Sequence, residues 1–151
     1  MKTSINLIAS KTSDIGITYQ IVCNSIKPYI KKLWGWDDLH QQKIHQKKFK
    51  VSKTKLIQFE DQIVGFIVVN HSDNEIYLEN LLIDQHFQNL GIGKEIMGNI
   101  IEKAILEMKT IRLQVFKINY RAQHFYERLG FKRISENEFN FEMKYYVSQK
   151  I

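Results

Sequence analysis

The sequence has only one cysteine, Cys23, and only one proline, Pro28, and it contains no long apolar run. A single cysteine excludes an internal disulfide, and with it a secreted domain held together by disulfides. No stretch reaches the roughly 18 consecutive apolar residues of a membrane span. The apolar patch near the start, Ile5 to Ala9, is shorter than the roughly 7–15 residues of a signal peptide. These absences predict a cytoplasmic protein.

Linkers, repeats and low-complexity segments are also missing. The chain has 151 residues, of which 44% are hydrophobic and 25% charged, and this is the composition of an ordinary globular domain rather than of a disordered chain. We therefore predict one domain over residues 1–151. The sequence does not decide between a monomer and a homodimer.

Several catalytic and metal-binding patterns are absent. His40 and His45 do not have the spacing of a zinc-binding helix, and no glutamate stands where that motif requires one. The sequence has no G-x-S-x-G serine elbow. Cys23 is interpreted as a buried helix residue rather than a nucleophile. No metal site is predicted.

The net charge of +6 is concentrated in one stretch, residues 40–55, which we call the basic segment. A basic stretch can attract phosphates, nucleic acid or acidic proteins. It can equally be a solvated face, and a basic balance also suits a phosphorylated ligand. Nucleic acid is therefore kept as an alternative partner, and no membrane partner is predicted.

The hydrophobic pattern predicts alternating strands and helices. An irregular helical region from Asp14 to about Lys48 should be bent or split by Pro28, and we expect two helices there with a break near Trp34–Asp38. Asp37 or Asp38 could cap the second of them. The expected strands are residues 5–9, 55–59, 63–70, 75–84, 111–116, 131–134 and 139–147.

The clearest helix follows Gly93, and Asn119–Leu129 should form a shorter one that Gly130 closes. The longer helix has apolar residues mostly three and four apart, which form one stripe. They are Ile96, Met97, Ile100, Ile101, Ala104, Ile105 and Met108. Together with the strands on either side this helix makes a βαβ unit, so those two strands should be parallel.

The motif Gln88-Asn89-Leu90-Gly91-Ile92-Gly93 lies between the fourth strand and the long helix. Glycine permits positive φ and close approach of the backbone to a ligand. The first amides of a helix have no partner within the helix, and the helix dipole adds positive potential there, so a pyrophosphate could bind. A dinucleotide fingerprint would need glycine at Ile96, and a P-loop would need glycine at Gln88. A tight turn without a ligand remains an alternative.

With this motif the sequence resembles the GNAT superfamily of N-acetyltransferases. Gln88, Gly91 and Gly93 match the signature of that superfamily, and a second element matches at Asn119, Ala122 and Phe125-Tyr126-Glu127-Arg128-Leu129-Gly130-Phe131. The resemblance implies an α/β (α+β) fold, with a mixed, mostly antiparallel sheet of about six to seven strands and helices on both faces. It also implies acetyl-CoA as the acetyl donor.

The resemblance further implies which residues contact coenzyme A. Backbone amides from Gln88 through Lys94, a stretch that includes Asn89, Leu90, Gly91, Ile92 and Gly93, should hold the pyrophosphate. The main chain of Leu81, Leu82 and Ile83 should pair with the pantetheine arm where the fourth and fifth strands splay apart. Asn119 should contact that arm through its side-chain amide.

Tyr126 matches the family tyrosine that lies near the thioester sulfur. Attack of an amine on the thioester expels a thiolate, and a phenol with a pKa of about 10 can protonate it. Spacing alone favours a core aromatic instead, since Phe125, Tyr126 and Leu129 share one helix face.

Glu79 is the candidate general base. It interrupts an apolar strand in Leu78-Glu79-Asn80-Leu81, just before the predicted cofactor-pairing stretch. An alkylamine has a pKa of about 10 and must lose a proton before it attacks. A solvated strand face or an ion pair with lysine is the alternative.

The sequence thus predicts an N-acetyltransferase that transfers acetyl directly to a primary amine, on a small molecule or a protein. Trp34 and Trp36 either wall an acceptor pocket or pack the helices on the sheet. The alternative function is a catalytically inactive module that binds coenzyme A, or that binds nucleic acid through residues 40–55.

Overall fold

A computed structural model describes residues 4–147 of the chain, and these form seven strands and five helices. In chain order they are β1 (Ile5–Ala9), α1 (Ile15–Cys23), α2 (Lys27–Trp34), α3 (Asp38–Lys48), β2 (Thr54–Phe59), β3 (Gln62–His71), β4 (Glu75–Ile83), α4 (Ile92–Glu107), β5 (Thr110–Phe116), α5 (Tyr120–Leu129), β6 (Lys132–Glu136) and β7 (Asn140–Tyr145). Single 3-10 turns precede α1, at Thr12–Asp14, and follow β4, at Gln85–Phe87.

The strands form one sheet with the neighbour order β1-β2-β3-β4-β5-β7-β6. β4 and β5 are parallel, as their connection through α4 requires, and their ladder joins Glu75–Leu78 to residues 110–113. The pairs β1–β2, β2–β3, β5–β7 and β6–β7 are antiparallel. The predicted mixed, mostly antiparallel sheet of about seven strands is confirmed.

The hairpin between β2 and β3 turns on only two residues. Glu60 and Asp61 have φ of +47° and +67°, which is the left-handed pair that a tight hairpin with right-twisted strands needs. Gln62, which the sequence placed in the connection, is already the first residue of β3.

The region before β2 contains three helices, not the two expected. The predicted break near Trp34–Asp38 exists, and Asp37 caps α3 by accepting a hydrogen bond from the His40 amide at 3.1 Å. A second break follows Cys23, and Pro28 lies in the first turn of α2. Because proline lacks an N–H that this turn would leave unpaired anyway, the proline starts a new helix instead of bending an existing one.

The apolar stripe on α4 is shorter than predicted. Ile96, Met97 and Ala104 are buried, but the side chains of Ile105 and Met108 are 48% and 58% exposed. The helix ends at Glu107, and Met108 turns the chain with a φ of +57°. The stripe therefore ends near Ala104, one turn before the sequence pattern ends.

The described residues divide into two compact units. The first unit contains residues 4–68 and 80–94, and the second contains residues 69–79 and 95–147. A cluster of Ile21, Leu56 and Phe66 forms a buried core in the first unit. In the second, alternate residues of β5 are buried, as the sequence pattern predicted. One domain over residues 1–151 stays a prediction.

None of the helices within residues 4–147 combines the length and the apolar character needed to cross a membrane. The location of the protein in the cell stays a prediction.

Gly65 on β3 lies against the end of β4. A Cβ at this position would meet the carbonyl oxygen of Leu82 at a prohibitive distance, and it would come within 3.2 Å of the Ile83 Cα. Since a Cβ projects from the face of a strand, the Leu82 carbonyl must project over that face instead of along the sheet. The Asp84 amide then donates to the Val64 carbonyl at 2.8 Å. Glycine is required here for close approach.

We predict that Gly65→Ala lowers the free energy of unfolding by about 1–3 kcal/mol, as overpacking does in other proteins. Urea denaturation measures this. Gly98→Ala is the matched control, because a Cβ at this position in α4 meets nothing within 4 Å, and alanine should stabilise a helix interior by up to about 1 kcal/mol. Equal stability of the native protein and Gly65→Ala would contradict the close approach.

Candidate active site

The turn after β4 is closed by the side chain of Gln88. Its Nε2 donates to the Ile83 carbonyl at 2.8 Å, so the amide of the side chain pairs the last carbonyl of the strand. The sequence predicted a contact between the Gln88 backbone and a ligand, and it gave no role to the side chain. The structure shows that this glutamine holds together the two ends of the turn that leads to α4.

Asp84 ties the same turn to α1. Its carboxylate accepts from the His86 amide at 2.9 Å, the His86 ring at 2.9 Å and the Asn24 side chain at 2.9 Å. The Gln85 amide also donates to the Asn24 carbonyl at 2.9 Å. Partial burial on its own would raise the pKa of Asp84, but these hydrogen bonds hold the pKa below its ordinary value. The turn is therefore fixed by an ionised carboxylate.

Two left-handed residues complete the passage from strand to helix. Asn89 has a φ of +66° and Gly91 a φ of +84°. A Cβ at Gly91 would meet no atom within 4 Å, so glycine is required there by φ, and the space beside it is open. Gly93 lies within the first turn of α4 without a positive φ, and in this respect the two motif glycines differ.

The start of α4 has the backbone features of an anion site. The amides of Ile92, Gly93 and Lys94 belong to its first turn and have no partner within the helix, and the dipole of this 16-residue helix favours negative charge there. Leu90 is 55% exposed, whereas Ile92 is 1% exposed. We call residues 88–94 the cradle. The open space at Gly91 and the amides without an intrahelical partner suit a phosphate group.

The candidate base Glu79 lies on the exposed side of β4. Its carboxylate accepts a hydrogen bond from the Asn70 side chain at 3.2 Å. No lysine pairs with it among the described residues, so the ion-pair alternative is not observed. Exposure leaves the second carboxylate oxygen accessible to water, and the role of Glu79 as base stays a prediction.

Leu81, Leu82 and Ile83 form the half-buried end of β4. Gly65 lies beside their backbone, as described above. Their pairing with a pantetheine arm stays a prediction.

Asn119 caps α5. Its side-chain oxygen accepts from the Ala122 amide at 3.1 Å, which is the usual work of an asparagine before a helix. The oxygen is therefore engaged, and only the NH₂ group of the side chain remains to donate to a ligand. Gly130, with a φ of +106°, closes the helix as predicted.

Tyr126 lies on the buried face of α5. Its ring makes edge contacts with Phe125 at 5.0 Å and Phe131 at 5.5 Å between centroids, and the residue is 8% exposed. Burial raises the pKa of Tyr126 above its ordinary value of about 10, so the phenol stays protonated at neutral pH. The core-aromatic interpretation is confirmed, and it leaves the hydroxyl in the form that donates.

Gln123, which the sequence reasoning missed, anchors α5 to the end of β5. It is 2% exposed, and its Nε2 donates to the carbonyls of Phe116 at 2.9 Å and Lys117 at 2.8 Å. Its Oε1 accepts from Arg133 at 2.9 Å. The available signal was its position three residues before Tyr126, because a polar residue on the apolar face of a helix needs partners.

Tyr19 and Trp36 connect α1 to the start of α3. The Tyr19 hydroxyl donates to Asp38 at 2.6 Å, and the rings of Tyr19 and Trp36 stack at 6.5 Å. The hydrogen bond from Tyr19 lowers the pKa of Asp38. The ammonium of Lys27 lies 5.1 Å from the Trp36 ring. These contacts support packing as the role of Trp36, and an acceptor pocket at this point stays a prediction.

Within residues 4–147 the histidine, cysteine, aspartate and glutamate side chains form no group of three or more that could hold a metal ion.

Comparison with known proteins points to one family. Residues 21–131, which are more than half of the chain, match the model described as the Acetyltransferase (GNAT) family. A probable spermine N(1)-acetyltransferase of Bacillus subtilis subsp. natto is 28% identical over 96 residues, which are 57% of this chain and 63% of that protein. The N-acetylaspartate synthetase of Danio rerio is 32% identical over 80 residues, which are 51% of this chain and 28% of that protein.

Solved structures share the fold. The crystal structure of PaiA N-acetyltransferase from Thermoplasma acidophilum in complex with coenzyme A superimposes with a TM-score of 0.75. It is 17% identical, and the match covers 95% of this chain and 99% of that chain. The match covers less than two thirds of the length of each of the two curated relatives described above.

We predict that coenzyme A binds to the native protein and that Gly91→Glu abolishes binding. Gly91→Lys is the matched control, because it imposes the same strain at positive φ with the opposite charge. A positive and a negative charge, each placed within about 4 Å of a phosphate, differ in interaction energy by at least roughly 1–2 kcal/mol. The lysine variant should therefore bind coenzyme A about tenfold more tightly than the glutamate variant, or better. Isothermal titration measures both, and urea denaturation checks that both are folded. Equal loss in the two variants would contradict anion binding at the cradle.

Proposed function

The chain belongs to the Acetyltransferase (GNAT) family, and from this premise we propose that it is an N-acetyltransferase that uses acetyl-CoA and a primary amine. The observation that carries the proposal is the geometry of the cradle. Asn89 and Gly91 both have positive φ and lead directly into the first amides of α4, which can donate to an anion. The coenzyme A bound to the similar PaiA N-acetyltransferase supports the choice of cofactor.

Each part of the cofactor has a candidate partner in this chain. The backbone amides of residues 88–94 bind the pyrophosphate, and the main chain of Leu81–Ile83 binds the pantetheine arm. Asn119 donates to that arm through its NH₂ group, since its oxygen caps α5. When bound, acetyl-CoA supplies an acetyl group that is activated as a thioester.

The reaction we propose is a direct transfer. The ammonium of the acceptor first gives one proton to Glu79 or to water beside it. The neutral nitrogen then forms a bond to the acetyl carbon, the carbon–sulfur bond breaks and coenzyme A leaves as a thiolate, and the second proton of the nitrogen passes to water. Holding the amine against the thioester supplies much of the acceleration, because an intermolecular reaction becomes an intramolecular one. No acyl-enzyme is needed.

Tyr126 stabilises the departing sulfur. Its pKa is raised by burial, and an ordinary thiol has a pKa of about 8.5. The phenol is therefore the weaker acid, and it donates a strong hydrogen bond to the developing thiolate while it keeps its own proton at equilibrium. This role needs the hydroxyl in place but does not need an acidic tyrosine.

The acceptor that we propose is a primary amine, and the relatives indicate more than one class of amine. One relative carries the name of a spermine acetyltransferase and another that of an N-acetylaspartate synthetase, so one name indicates a polycation as acceptor and the other an amino acid with two carboxylates. An amine panel that includes a polyamine, aspartate and a peptide with a free N-terminus distinguishes these classes from one another.

We predict that release of free coenzyme A thiol from acetyl-CoA requires an amine of this panel, and that Tyr126→Phe lowers kcat by about 10²–10³-fold, as loss of one preorganised donor does. Phenylalanine keeps the edge contacts with Phe125 and Phe131, so coenzyme A affinity by titration should change little. In the native protein, ionisation of Tyr126 should not reduce the rate below pH 10, because its pKa is raised. An unchanged kcat in Tyr126→Phe would remove the tyrosine from the mechanism.

We predict that Glu79→Gln lowers the rate near neutral pH and shifts the rise of kcat/KM towards the pKa of the amine itself, about 10. Asp73→Asn is the control, since Asp73 is an exposed carboxylate in the connection between β3 and β4 and its replacement makes the same change in net charge. A pH profile of Glu79→Gln that coincides with the native profile would assign proton removal to solvent or to another group.

A further inference from the structure

The basic segment, residues 40–55, accounts for the net charge of the whole chain. It contains six lysines and neither aspartate nor glutamate. The chain has 22 lysines and arginines against 16 aspartates and glutamates. Without these six lysines the remaining residues would balance, at 16 against 16. The positive charge of this protein is therefore a property of one short segment, which comprises most of α3 and the first residues of β2.

The six lysines are exposed and have no acidic partner within residues 4–147. Lys43, Lys47, Lys48, Lys50, Lys53 and Lys55 all lie at the surface. The five ion pairs found in residues 4–147 involve other residues. The nearest acids in sequence, Asp37 and Asp38, are engaged in capping α3 and in bonding Tyr19.

Stabilisation of α3 explains only part of this pattern. A cation in the last turn of a helix interacts favourably with the helix dipole, typically by about 0.3–1 kcal/mol. Lys47 and Lys48 lie in that last turn. Lys43 lies a turn earlier, and Lys50, Lys53 and Lys55 lie beyond the helix, so the dipole gives no reason for these four cations.

The segment is held on an ordered scaffold. The Ser10 hydroxyl, which is buried, donates to the Thr54 carbonyl at 2.8 Å, and the Lys53 amide donates to the Lys50 carbonyl at 3.1 Å. Lys55 is an exposed position on a strand that pairs with β1 on one side and β3 on the other. The lysine backbones are thus ordered before any partner binds, which lowers the entropic cost of binding.

The chemistry of the segment favours a phosphate backbone over a protein or a membrane. Protein interfaces are enriched in arginine and aromatic residues and depleted in lysine, and the segment has no arginine. A membrane-surface helix presents a wide apolar face, but α3 has only Leu39 and Ile44 as apolar residues. Lysines one helical turn apart, such as Lys43 and Lys47, are separated by about 6 Å and can each meet a phosphate.

We propose that the basic segment is a docking surface for the phosphodiester backbone of nucleic acid. The surface consists of other residues than the cradle, and binding at it does not depend on acetyl transfer. Lysine contacts to phosphates read charge and not sequence, so binding is strongly dependent on salt. RNA and DNA share the chemistry, and the experiment separates them.

The test measures binding of a fluorescein-labelled RNA of about 20 nucleotides, and of a DNA duplex of similar length, with saturating coenzyme A to occupy the cradle. We expect log Kobs to fall with log salt at a slope of about −3 to −4, because roughly four phosphates are neutralised. A triple variant, Lys43→Glu, Lys50→Glu and Lys53→Glu, should lose at least about tenfold in affinity and most of this slope. Whichever of the two probes binds more tightly, the RNA or the DNA duplex, identifies the kind of nucleic acid that the segment prefers.

A second triple variant controls for total charge. Lys11→Glu, Lys103→Glu and Lys132→Glu replace exposed lysines outside the segment, and each triple changes the formal net charge from +6 to 0, since each replacement removes two charges. This variant should keep affinity within about threefold of the native protein. Equal loss in both triples would overturn the proposal, because net charge alone would then explain binding.

Two further probes test the class of partner. Polyglutamate and vesicles that contain phosphatidylserine carry negative charge without a phosphodiester chain of nucleotides. The proposal would be overturned if the protein bound polyglutamate or the vesicles as tightly as it binds RNA and DNA. It would also be overturned if the protein bound no nucleic acid at low salt.

Coenzyme A titration of each triple variant confirms that the variant is folded. The same triple variants with glutamine in place of glutamate should show an intermediate loss of affinity for nucleic acid.

Discussion

The backbone between Ile83 and Ile92 is the constraint on which the candidate site depends. Gln88 is bonded to the Ile83 carbonyl at one end, and Ile92 is buried at the other, so the left-handed residues between them have fixed ends. The first amides of α4 are therefore set in place before a ligand arrives. Preorganised donors of this kind need no rearrangement when negative charge arrives, and this is why a turn made only of backbone can serve as an anion site.

The parts of the molecule that follow from short-range rules could be predicted from the sequence. Alternation on β5, the short helix that starts near Asn119, the left-handed Gly130 and the motif at Gln88–Gly93 are each fixed by neighbours a few residues away. Gln123 and Gly65 could not be understood in this way. Gln123 bonds Arg133, and Gly65 lies against Leu82, so their roles depend on partners 10 and 17 residues away. The sequence pattern put Met108 in the apolar stripe of α4 because methionine is apolar and the spacing is helical. In the structure Met108 has a positive φ and lies in the turn after the helix.

The packing role of Tyr126 in the core is compatible with its proposed role as a hydrogen-bond donor to the thioester sulfur. The contacts with Phe125 and Phe131 fix the ring, and the same burial keeps the phenol protonated. Because the pKa is raised in the folded state, this group contributes stability below its ordinary pKa of about 10, and that contribution is lost as the pH rises further. Packing in the core and a proton available for donation therefore come from a single cause, the removal of the ring from water.

The cradle and the basic segment recognise negative charge by different means. In the cradle the donors are backbone amides, and only one lysine, Lys94, belongs to it. A binding site built in this way takes its donors from the main chain and does not need the six lysines in residues 40–55. Nor does the fold require them, because a polar residue such as glutamine would serve equally well on an exposed face of α3. The charge of the segment is therefore better explained by a partner with many regularly spaced anions than by the cofactor or by the stability of the helix.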